Sequence, residues 1–380
     1  MAESHEPIMR RALELAERAR GLTAPNPCVG AVLAREGRIL AEGFHARAGE
    51  PHAERACLAD AAARGVDPTG CDLYVTLEPC NHHGRTTPCT EAILESGVAR
   101  VIEGCADPNR EVEGGGSARL RAAGVEVVEG VLKQRCRDAI DDFVRWQRDK
   151  RPHVLVKLAQ TIDGRIAARS GVPEKVSGTE SHRRVQELRG RADAVLVGGG
   201  TLRADDPRLT CRLDPQERGL SPKGQPLAVV ATRSLPPPRA QLCLLRQRPA
   251  ETVFLTSRER AESDEADHLR ALGCRVWGLG ESGGGLDLGE GLNRLYDEAG
   301  VHHVLCEGGG TLAMSLARAG LMDELRLYMA PRVLGDERAR ASFAGAGDIP
   351  MADALSLRLC WTASSGADLE LCYRPKREDD

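Results

Sequence analysis

Pro51-His52-Ala53-Glu54 is the stretch that indicates the fold and the chemistry of the first part of this chain. It is followed by two shorter segments, Pro79-Cys80 and Pro88-Cys89. Together the three segments supply one imidazole, two thiols and one carboxylate that a metal ion does not need as a ligand. Catalytic zinc sites have three protein ligands, an open position for water and an acid or base close by. Structural zinc sites are closed by four protein ligands, so this set of residues indicates a hydrolytic site.

The prolines place two of these ligands at helix starts. Proline favours the first positions of a helix, so we predict helices over 51–63 and 88–97, with a strand over 72–77 between them. The partial positive charge of a helix N-terminus favours a thiolate over a thiol. Zinc lowers the pKa of its bound water, and Glu54 can accept that proton and return it to a leaving amine. The pattern is that of zinc-dependent nucleobase deaminases, although eight residues separate the cysteines here instead of two.

Two other interpretations stay open at this point. His52 can be a surface histidine, with Cys80 and Cys89 as small buried apolar residues, which is the common case for each residue alone. A closed structural zinc site would need a fourth ligand. The residues available for it are Cys71, His82 and His83.

Length and composition narrow the class of protein. The 380 residues exceed one typical hydrophobic core, which predicts two domains. The net charge of −4 and the aromatic content of 3% argue against a nucleic-acid-binding surface. The sequence has no apolar run long enough for a membrane span and no signal-peptide pattern. The 13 cysteines are therefore interpreted as free thiols and metal ligands, and we expect a cytoplasmic protein.

The domain boundary is placed in the charged run 148–152, which gives domains 1–150 and 151–376. In both, apolar strands alternate with helical stretches, which predicts α/β domains. Helices are predicted over 7–20 and 133–147 in the first domain, and a flexible loop over 282–285 in the second. The strands predicted for the second domain are 154–159, 192–197, 226–231, 251–255, 275–279, 303–306, 324–330, 358–361 and 369–373.

Two predicted strands of the second domain run into glycine turns, Gly198-Gly199-Gly200-Thr201 and Gly308-Gly309-Gly310-Thr311. The second turn leads into a predicted helix over 312–319. Glycine lets the backbone approach a phosphate closely, and a helix N-terminus supplies N–H donors for it. Neither turn is the six-residue dinucleotide fingerprint, so a standard Rossmann domain is not indicated. A plain tight turn explains the pattern equally well.

Longer segments around these features resemble the bifunctional riboflavin-biosynthesis deaminase–reductase family. The insert His82-His83-Gly84-Arg85-Thr86 between the two cysteines separates that family from cytidine and tRNA adenosine deaminases. The other segments that carry the resemblance are 26–30, 49–54, 74–89, 161–165, 204–210 and 307–312. The resemblance therefore covers nearly the whole chain and places the deaminase before the reductase.

The resemblance implies a cytidine-deaminase-like three-layer domain followed by a dihydrofolate-reductase-like domain. It implies two consecutive reactions. The first is hydrolytic deamination of 2,5-diamino-6-ribosylamino-4(3H)-pyrimidinone 5′-phosphate, and the second is reduction of the ribosyl chain to ribityl by NADPH. The cofactors are then one Zn²⁺ per chain and NADPH, and the partner is a small phosphorylated pyrimidine.

The resemblance also implies roles for individual residues. His52, Cys80 and Cys89 correspond to the zinc ligands and Glu54 to the proton shuttle. The residues implied for substrate binding are Asn26 and Arg85 in the deaminase, and Lys157, Arg189, Leu209, Arg212 and Glu307 in the reductase. Those implied for cofactor binding are Gln160, Lys175, Thr201, Asp205, Gly309, Gly310, Thr311 and Leu312. The proton donor of the reduction stays open between Lys157 and Asp205.

The chain departs from the family pattern in two places. Pro173-Glu174-Lys175-Val176-Ser177 lacks the tryptophan that members usually carry there, and Thr232-Arg233-Ser234 replaces an aspartate followed by Ser or Thr. Arg233 can pair with the 2′-phosphate of NADP. The first departure leaves open a deaminase with a non-catalytic C-terminal module, and a nucleic-acid-editing deaminase is a further alternative. Apolar stripes on helices beyond the needs of one sheet predict a homo-oligomer.

Overall fold

The computed structural model describes residues 5–81, 87–108, 115–168, 175–214, 224–345, 347 and 349–376. The chain divides into two compact units, Met1–Lys150 and Arg151–Asp380. No helix in these described ranges is long and apolar enough to cross a membrane.

The described part of the first unit contains six helices and five strands. The helices are α1 (Glu6–Arg18), α2 (Ala53–Ala63), α3 (Cys89–Ser96), α4 (Gly116–Ala122), α5 (Lys133–Ala139) and α6 (Asp141–Asp149). The strands are β1 (Gly30–Arg35), β2 (Arg38–Phe44), β3 (Asp72–Leu77), β4 (Arg100–Cys105) and β5 (Glu126–Val128). The predicted helix over 133–147 is divided in two, since Ile140 has a non-helical backbone with φ −112° and ψ 16°.

Helices cover both faces of the sheet of the first unit, whose strand order is β2-β1-β3-β4-β5. Strand β1 is antiparallel to β2 and β3, whereas β3, β4 and β5 are parallel. A Cβ on Gly30 would lie 2.0 Å from the carbonyl oxygen of Ala12 in α1, and one on Gly43 would lie 2.2 Å from the backbone nitrogen of Cys57 in α2. Gly43 pairs with Ala31, so the two glycines face opposite sides of the sheet. This is a three-layer arrangement.

Strand β3 carries the chain into Glu78-Pro79-Cys80, at the edge of the sheet where the first turns of α2 and α3 also begin. Its six residues are all buried, as expected for a strand covered on both faces. The fold thus brings a strand end and two helix N-termini to one place, although 37 residues separate His52 from Cys89 along the chain.

Glu103 on β4 is a buried carboxyl, 3% exposed, that accepts a 2.5 Å hydrogen bond from Oγ of Ser117. Burial raises its pKa to about 7, and the nearby charge of Glu78 acts in the same direction. The folded pKa lies above the unfolded value of about 4.3, so the folded state holds this proton more tightly than the unfolded state. The contribution of the protonated carboxyl to the free energy of unfolding is therefore fully present at low pH and is lost as the pH rises through 7.

We therefore expect Glu103→Gln, which keeps an acceptor for Ser117, to increase the free energy of unfolding by about 3 kcal/mol at pH 8 and by less than about 1 kcal/mol at pH 4.5. Denaturant unfolding of both proteins at the two pH values measures the difference. An equal effect at both pH values would contradict the assignment.

The described part of the second unit contains a large mixed sheet with helices on both faces. Its helices are α7 (Thr179–Arg191), α8 (Gly199–Asp205), α9 (Cys243–Gln247), α10 (Arg258–Ala261), α11 (Asp264–Ala271), α12 (Leu288–Ala299) and α13 (Gly310–Arg318), with short 3₁₀ turns at Pro249–Glu251 and Met351–Asp353. Its strands are β6 (His153–Thr161), β7 (Arg165–Ala167), β8 (Ala194–Gly198), β9 (Leu227–Ala231), β10 (Thr252–Ser257), β11 (Arg275–Leu279), β12 (Glu281–Ser282), β13 (Gly285–Leu286), β14 (His303–Cys306), β15 (Glu324–Ala330), β16 (Arg340–Ala341), β17 (Leu357–Ser365) and β18 (Asp368–Pro375).

The nine-stranded sheet has the order β11-β10-β9-β8-β14-β6-β15-β18-β17. The strands from β11 to β15 in this order are parallel, and β18 and β17 continue the sheet antiparallel. Alternate residues of β8 enter separate hydrophobic clusters, with Leu196 beside α12 and α13 and Val195 on the opposite face. Burial on both faces explains why the strands of this unit are almost continuously apolar in sequence.

The two glycine turns meet at one crevice of this sheet. Strands β8 and β14 are adjacent and parallel, and α8 and α13 begin directly after them with Gly198 and Gly309 as N-caps. From β8 the chain continues to β9 on one side, whereas from β14 it continues to β15 on the other. Ligands of open α/β sheets bind at such a reversal of strand order.

Candidate active sites

His52, Cys80 and Cys89 lie together, with their ligand atoms all within 4.8 Å of one another. His52 is the N-cap of α2, Cys80 follows β3, and Cys89 is the first residue of α3. Nδ1 of His52 lies 3.5 Å from Sγ of Cys80 and 3.4 Å from Sγ of Cys89. Hydrogen bonds from Cys89 and His52 lower the pKa of the Cys80 thiol, which favours the thiolate that a metal needs.

The spacing of these three atoms fits zinc. With Zn–S near 2.3 Å and Zn–N near 2.05 Å, a tetrahedral ion places its sulfur and nitrogen ligands about 3.6 Å apart. The two separations in the site, 3.5 and 3.4 Å, agree with that value. No other group of three such ligands occurs among the residues that the structure describes.

Of the residues considered for a fourth ligand, only Cys71 lies in the described part of the chain, and it is not in this group. Sγ of Cys71 instead donates to the carbonyl oxygen of Asp67 at 3.7 Å. His82 and His83 lie outside the described residues, as does Arg85, for which we predicted a role in substrate binding.

Glu54 lies in the first turn of α2, two residues after His52, and is only 4% exposed. Burial raises the pKa of its carboxyl, and the negative charge of Cys80 raises it further. A carboxyl of this kind holds a proton near neutral pH more readily than an exposed glutamate, which suits an acid–base group beside a metal.

Asn26 is oriented by His45, a residue that the sequence analysis did not identify. Nδ1 of His45 lies 3.0 Å from the carbonyl oxygen of Pro51, and its Nε2 lies 3.1 Å from Nδ2 of Asn26. A carbonyl only accepts, so the proton of His45 is assigned to Nδ1 and Nε2 accepts from the amide of Asn26. Burial lowers the pKa of His45, which favours this neutral form. The bond points Nδ2 of Asn26 at His45 and leaves its Oδ1 for another donor.

The second unit has a cavity of about 1530 Å³ at the carboxyl ends of β8, β9 and β14 and beside the middle of β6. Pockets for one small molecule usually measure about 300–1000 Å³, so this cavity has room for two ligands. From the predicted substrate set, Lys157 and Glu307 line it. From the predicted cofactor set, it is lined by Lys175, Thr201, Asp205, Gly309, Gly310, Thr311 and Leu312.

Three other predicted residues of this unit are not part of the cavity lining. Leu209 is buried in a hydrophobic cluster, and Gln160 pairs in register with Met329 of the sheet. Arg212 is exposed, and its backbone N–H donates to Oε1 of Gln186.

Arg189 holds Glu307 at the cavity wall. Its Nε and Nη2 donate to the two carboxylate oxygens at 2.5 and 2.9 Å, and its Nη1 donates to the carbonyl oxygen of Thr210 at 3.0 Å. The pair is nearly buried, so the guanidinium fixes the position of Glu307. Most of the N–H groups of Arg189 already donate hydrogen bonds within the protein.

Two side chains that line the cavity have pKa values shifted from their ordinary values, Lys157 and Asp205. Burial lowers the pKa of the Lys157 ammonium, and the charge of Glu307 partly opposes this change. Burial raises the pKa of Asp205, and the charge of Arg340 opposes it. Both residues face the cavity, so both still qualify as the proton donor.

The end of the cavity beside β9 is basic. Arg203 of α8 and Arg233 after β9 line it together with Ser282. The predicted loop over 282–285 is a small hairpin formed by β12 and β13, in which Ser282 pairs with Gly285. Nη2 of Arg233 donates to the carbonyl oxygen of Gly284, which ties this hairpin to the cavity wall.

Two family models match the chain. The cytidine and deoxycytidylate deaminase zinc-binding region matches residues 2–105, and the RibD C-terminal domain matches residues 152–369. Together with the zinc-spaced ligands and the cavity, they define a zinc-dependent deaminase followed by a pyrimidine reductase.

Whole-chain relatives show the same arrangement. Riboflavin biosynthesis protein RibD of Escherichia coli is 39% identical over 87% of this chain and 89% of its own length, and that of Actinobacillus pleuropneumoniae is 37% identical over 96% and 94%. The solved structure of the deaminase/reductase of Thermotoga maritima, 33% identical, matches 98% of each chain with a TM-score of 0.76. That of Acinetobacter baumannii RibD, 32% identical, matches 98% and 99% with a TM-score of 0.74.

The chain belongs to the RibD family of riboflavin biosynthesis proteins. The predicted fold class, the two enzymatic activities and the cofactors Zn²⁺ and NADPH are thereby confirmed. A non-catalytic second half is not supported, because the RibD C-terminal domain matches residues 152–369, which make up most of the second unit.

Proposed function

We propose that the first unit deaminates 2,5-diamino-6-ribosylamino-4(3H)-pyrimidinone 5′-phosphate and that the second unit reduces the ribosyl chain of the product. The observation that carries the deaminase assignment is the set of three ligands at zinc spacing beside the buried Glu54. The similar protein of Thermotoga maritima is named for the same two activities, a deaminase and a reductase.

In the deamination, His52, Cys80 and Cys89 hold the metal through Nδ1 and the two sulfur atoms. Zinc bound there activates water as a nucleophile. Glu54 would accept a proton from the attacking water and deliver it to the amino nitrogen that leaves as ammonia, while the water oxygen would form the new bond to the ring carbon. Oδ1 of Asn26, held by His45, is in place to accept a hydrogen bond from the pyrimidine.

In the reduction, the N–H groups at the starts of α8 and α13 would hold the pyrophosphate of the cofactor. NADPH bound in this cavity would supply a hydride for C1′ of the open-chain imine. Nζ of Lys157 donates the proton that the imine nitrogen takes up. Arg189 holds Glu307 in position beside it, where the carboxylate accepts hydrogen bonds from sugar hydroxyls.

Ammonia release by the purified protein tests the deaminase assignment. Incubation with the diaminopyrimidinone phosphate should release one ammonia per substrate, and removal of zinc by a chelator should stop the release until zinc is returned. Undiminished release from zinc-free protein would contradict the proposed metal centre.

We place the adenosine side of the cofactor at the basic end beside β9, because Glu307 follows β14 and Lys157 lies on β6, two and three strands away from β9. Arg203 and Arg233 then face the 2′-phosphate. We expect Arg233→Ser to weaken binding of 2′,5′-ADP about tenfold to a hundredfold and to leave binding of 5′-ADP unchanged.

Titration calorimetry with the two nucleotides measures this difference, and Arg239→Ser, which changes an exposed arginine outside the cavity lining, is the control. Equal losses for both nucleotides would show that Arg233 acts only by holding the hairpin.

The cytoplasmic location and the self-association remain predictions. Sedimentation analysis of the purified chain measures the second.

A further inference from the structure

A single arginine connects the helix that carries His52 to the segment that carries Cys89. Arg55 lies in the first turn of α2, three residues after His52. Its Nη2 lies 3.0 Å from the carbonyl oxygen of Thr87 and 3.1 Å from that of Pro88, and it also contacts Oγ1 of Thr87. Pro88 is the N-cap of α3, and the next residue is the ligand Cys89.

These contacts act on the main chain rather than on a ligand side chain. Two carbonyl groups in succession accept from one guanidinium nitrogen, so the direction in which the backbone enters α3 is fixed relative to α2. Sγ of Cys89 and Nδ1 of His52 lie 3.4 Å apart, and that separation depends on the relative position of these two helix starts. Nε of Arg55 is buried without a partner among the described residues, so the contacts of Nη2 are the ones that keep the side chain in place.

We propose that Arg55 is a positioning residue that preorganises the zinc ligands by clamping the Thr87-Pro88 segment to α2. This inference rests on the proposed zinc centre. Preorganisation lowers the cost of assembling the ligand set, so loss of the clamp releases the metal faster. Outer groups that orient metal ligands typically contribute about tenfold to a hundredfold in metal affinity.

The test compares four proteins: the wild type, Arg55→Ala, Arg55→Lys and Arg64→Ala. Arg64 is the C-cap of the same helix and pairs with Asp60, nine residues from Arg55 and about 13 Å along the helix axis. Zinc-loaded protein is mixed with an excess of a chromogenic chelator, and the rate of zinc transfer is measured. Arg55→Ala should release zinc about tenfold to a hundredfold faster than the wild type, and Arg64→Ala at the wild-type rate.

Arg55→Lys keeps the positive charge but not the fork geometry of the guanidinium, so it should release zinc at an intermediate rate. It also serves as the test variant if the alanine protein does not fold. A further readout is the increase of Tm on adding zinc to the apoprotein, which should be smaller in Arg55→Ala than in the wild type. A purely structural role would lower the Tm of both forms equally.

The outcomes separate this inference from the function on which it rests. Wild-type zinc release from Arg55→Ala, or equally fast release from Arg64→Ala, overturns the clamp while the zinc centre stands. A wild-type protein that binds no zinc overturns both.

Discussion

Glu54→Gln is expected to lower the rate of ammonia release by about 10²–10⁴-fold, the usual contribution of a positioned acid–base group. Glutamine has nearly the same shape but cannot accept the proton of the attacking water or return it to the leaving amine. Because Glu54 is not in the ligand group, zinc content should remain at the wild-type level. Reduction of the deaminated intermediate by NADPH should also be unchanged, since it occurs in the other unit.

The matched control is Glu50→Gln, which removes an exposed carboxylate four residues before Glu54. It should retain ammonia release within about twofold. Metal analysis accompanies both assays, because loss of zinc from Glu54→Gln would place the residue among the ligands. Ammonia release within tenfold of the wild type in a zinc-loaded Glu54→Gln protein would contradict its role as proton shuttle.

Lys157→Met is expected to produce the reverse pattern, with reduction lowered by about 10²–10⁴-fold and ammonia release unchanged. Methionine keeps an apolar stem of similar length in the cavity wall but has no group that donates a proton. The lowered pKa of Lys157 makes its proton easier to transfer than that of an exposed lysine.

Oxidation of NADPH with the deaminated intermediate supplied directly measures this effect, and Lys376→Met, at an exposed position, is the control. Binding of NADP⁺ is measured in parallel and should stay at the wild-type level. If Lys157→Met reduces the intermediate at the wild-type rate while Asp205→Asn does not, the proton comes from Asp205.

The zinc centre was the part of the site that the sequence could predict best. Its ligands follow prolines that begin helices, so local rules for helix starts place His52 and Cys89 at N-termini before any tertiary contact is known. His45 could not be found in this way. Its partner Asn26 lies 19 residues earlier in the chain, and the two meet only because β1 and β2 pair.

Helix α7 shows why part of the second unit was not predicted. Its buried residues include Ser181, Gln186 and Arg189, so the apolar period that marks an amphipathic helix is missing. These polar groups are satisfied by distant partners. Ser181 donates to Asp368, which is 187 residues away, and Arg189 donates to Glu307, which is 118 residues away.

The reductase cavity was predicted only in outline. The two glycine turns are visible in the sequence, but their meeting depends on the strand order that places β8 beside β14. The sequence does not indicate that β8 and β14 are adjacent, because α8–α12 and β9–β13 lie between them along the chain. The resemblance to a known family supplied the residues, and the structure shows which of them face the same space.

The measurement that tests the central claim most directly follows ammonia and NADPH together in one reaction with the diaminopyrimidinone phosphate. We predict that NADPH is consumed only after ammonia is released, and that zinc-free protein consumes none. The same zinc-free protein should oxidise NADPH normally when the deaminated intermediate is supplied. Consumption of NADPH by zinc-free protein with the diamino substrate, at the rate of the zinc-loaded protein, would contradict the account.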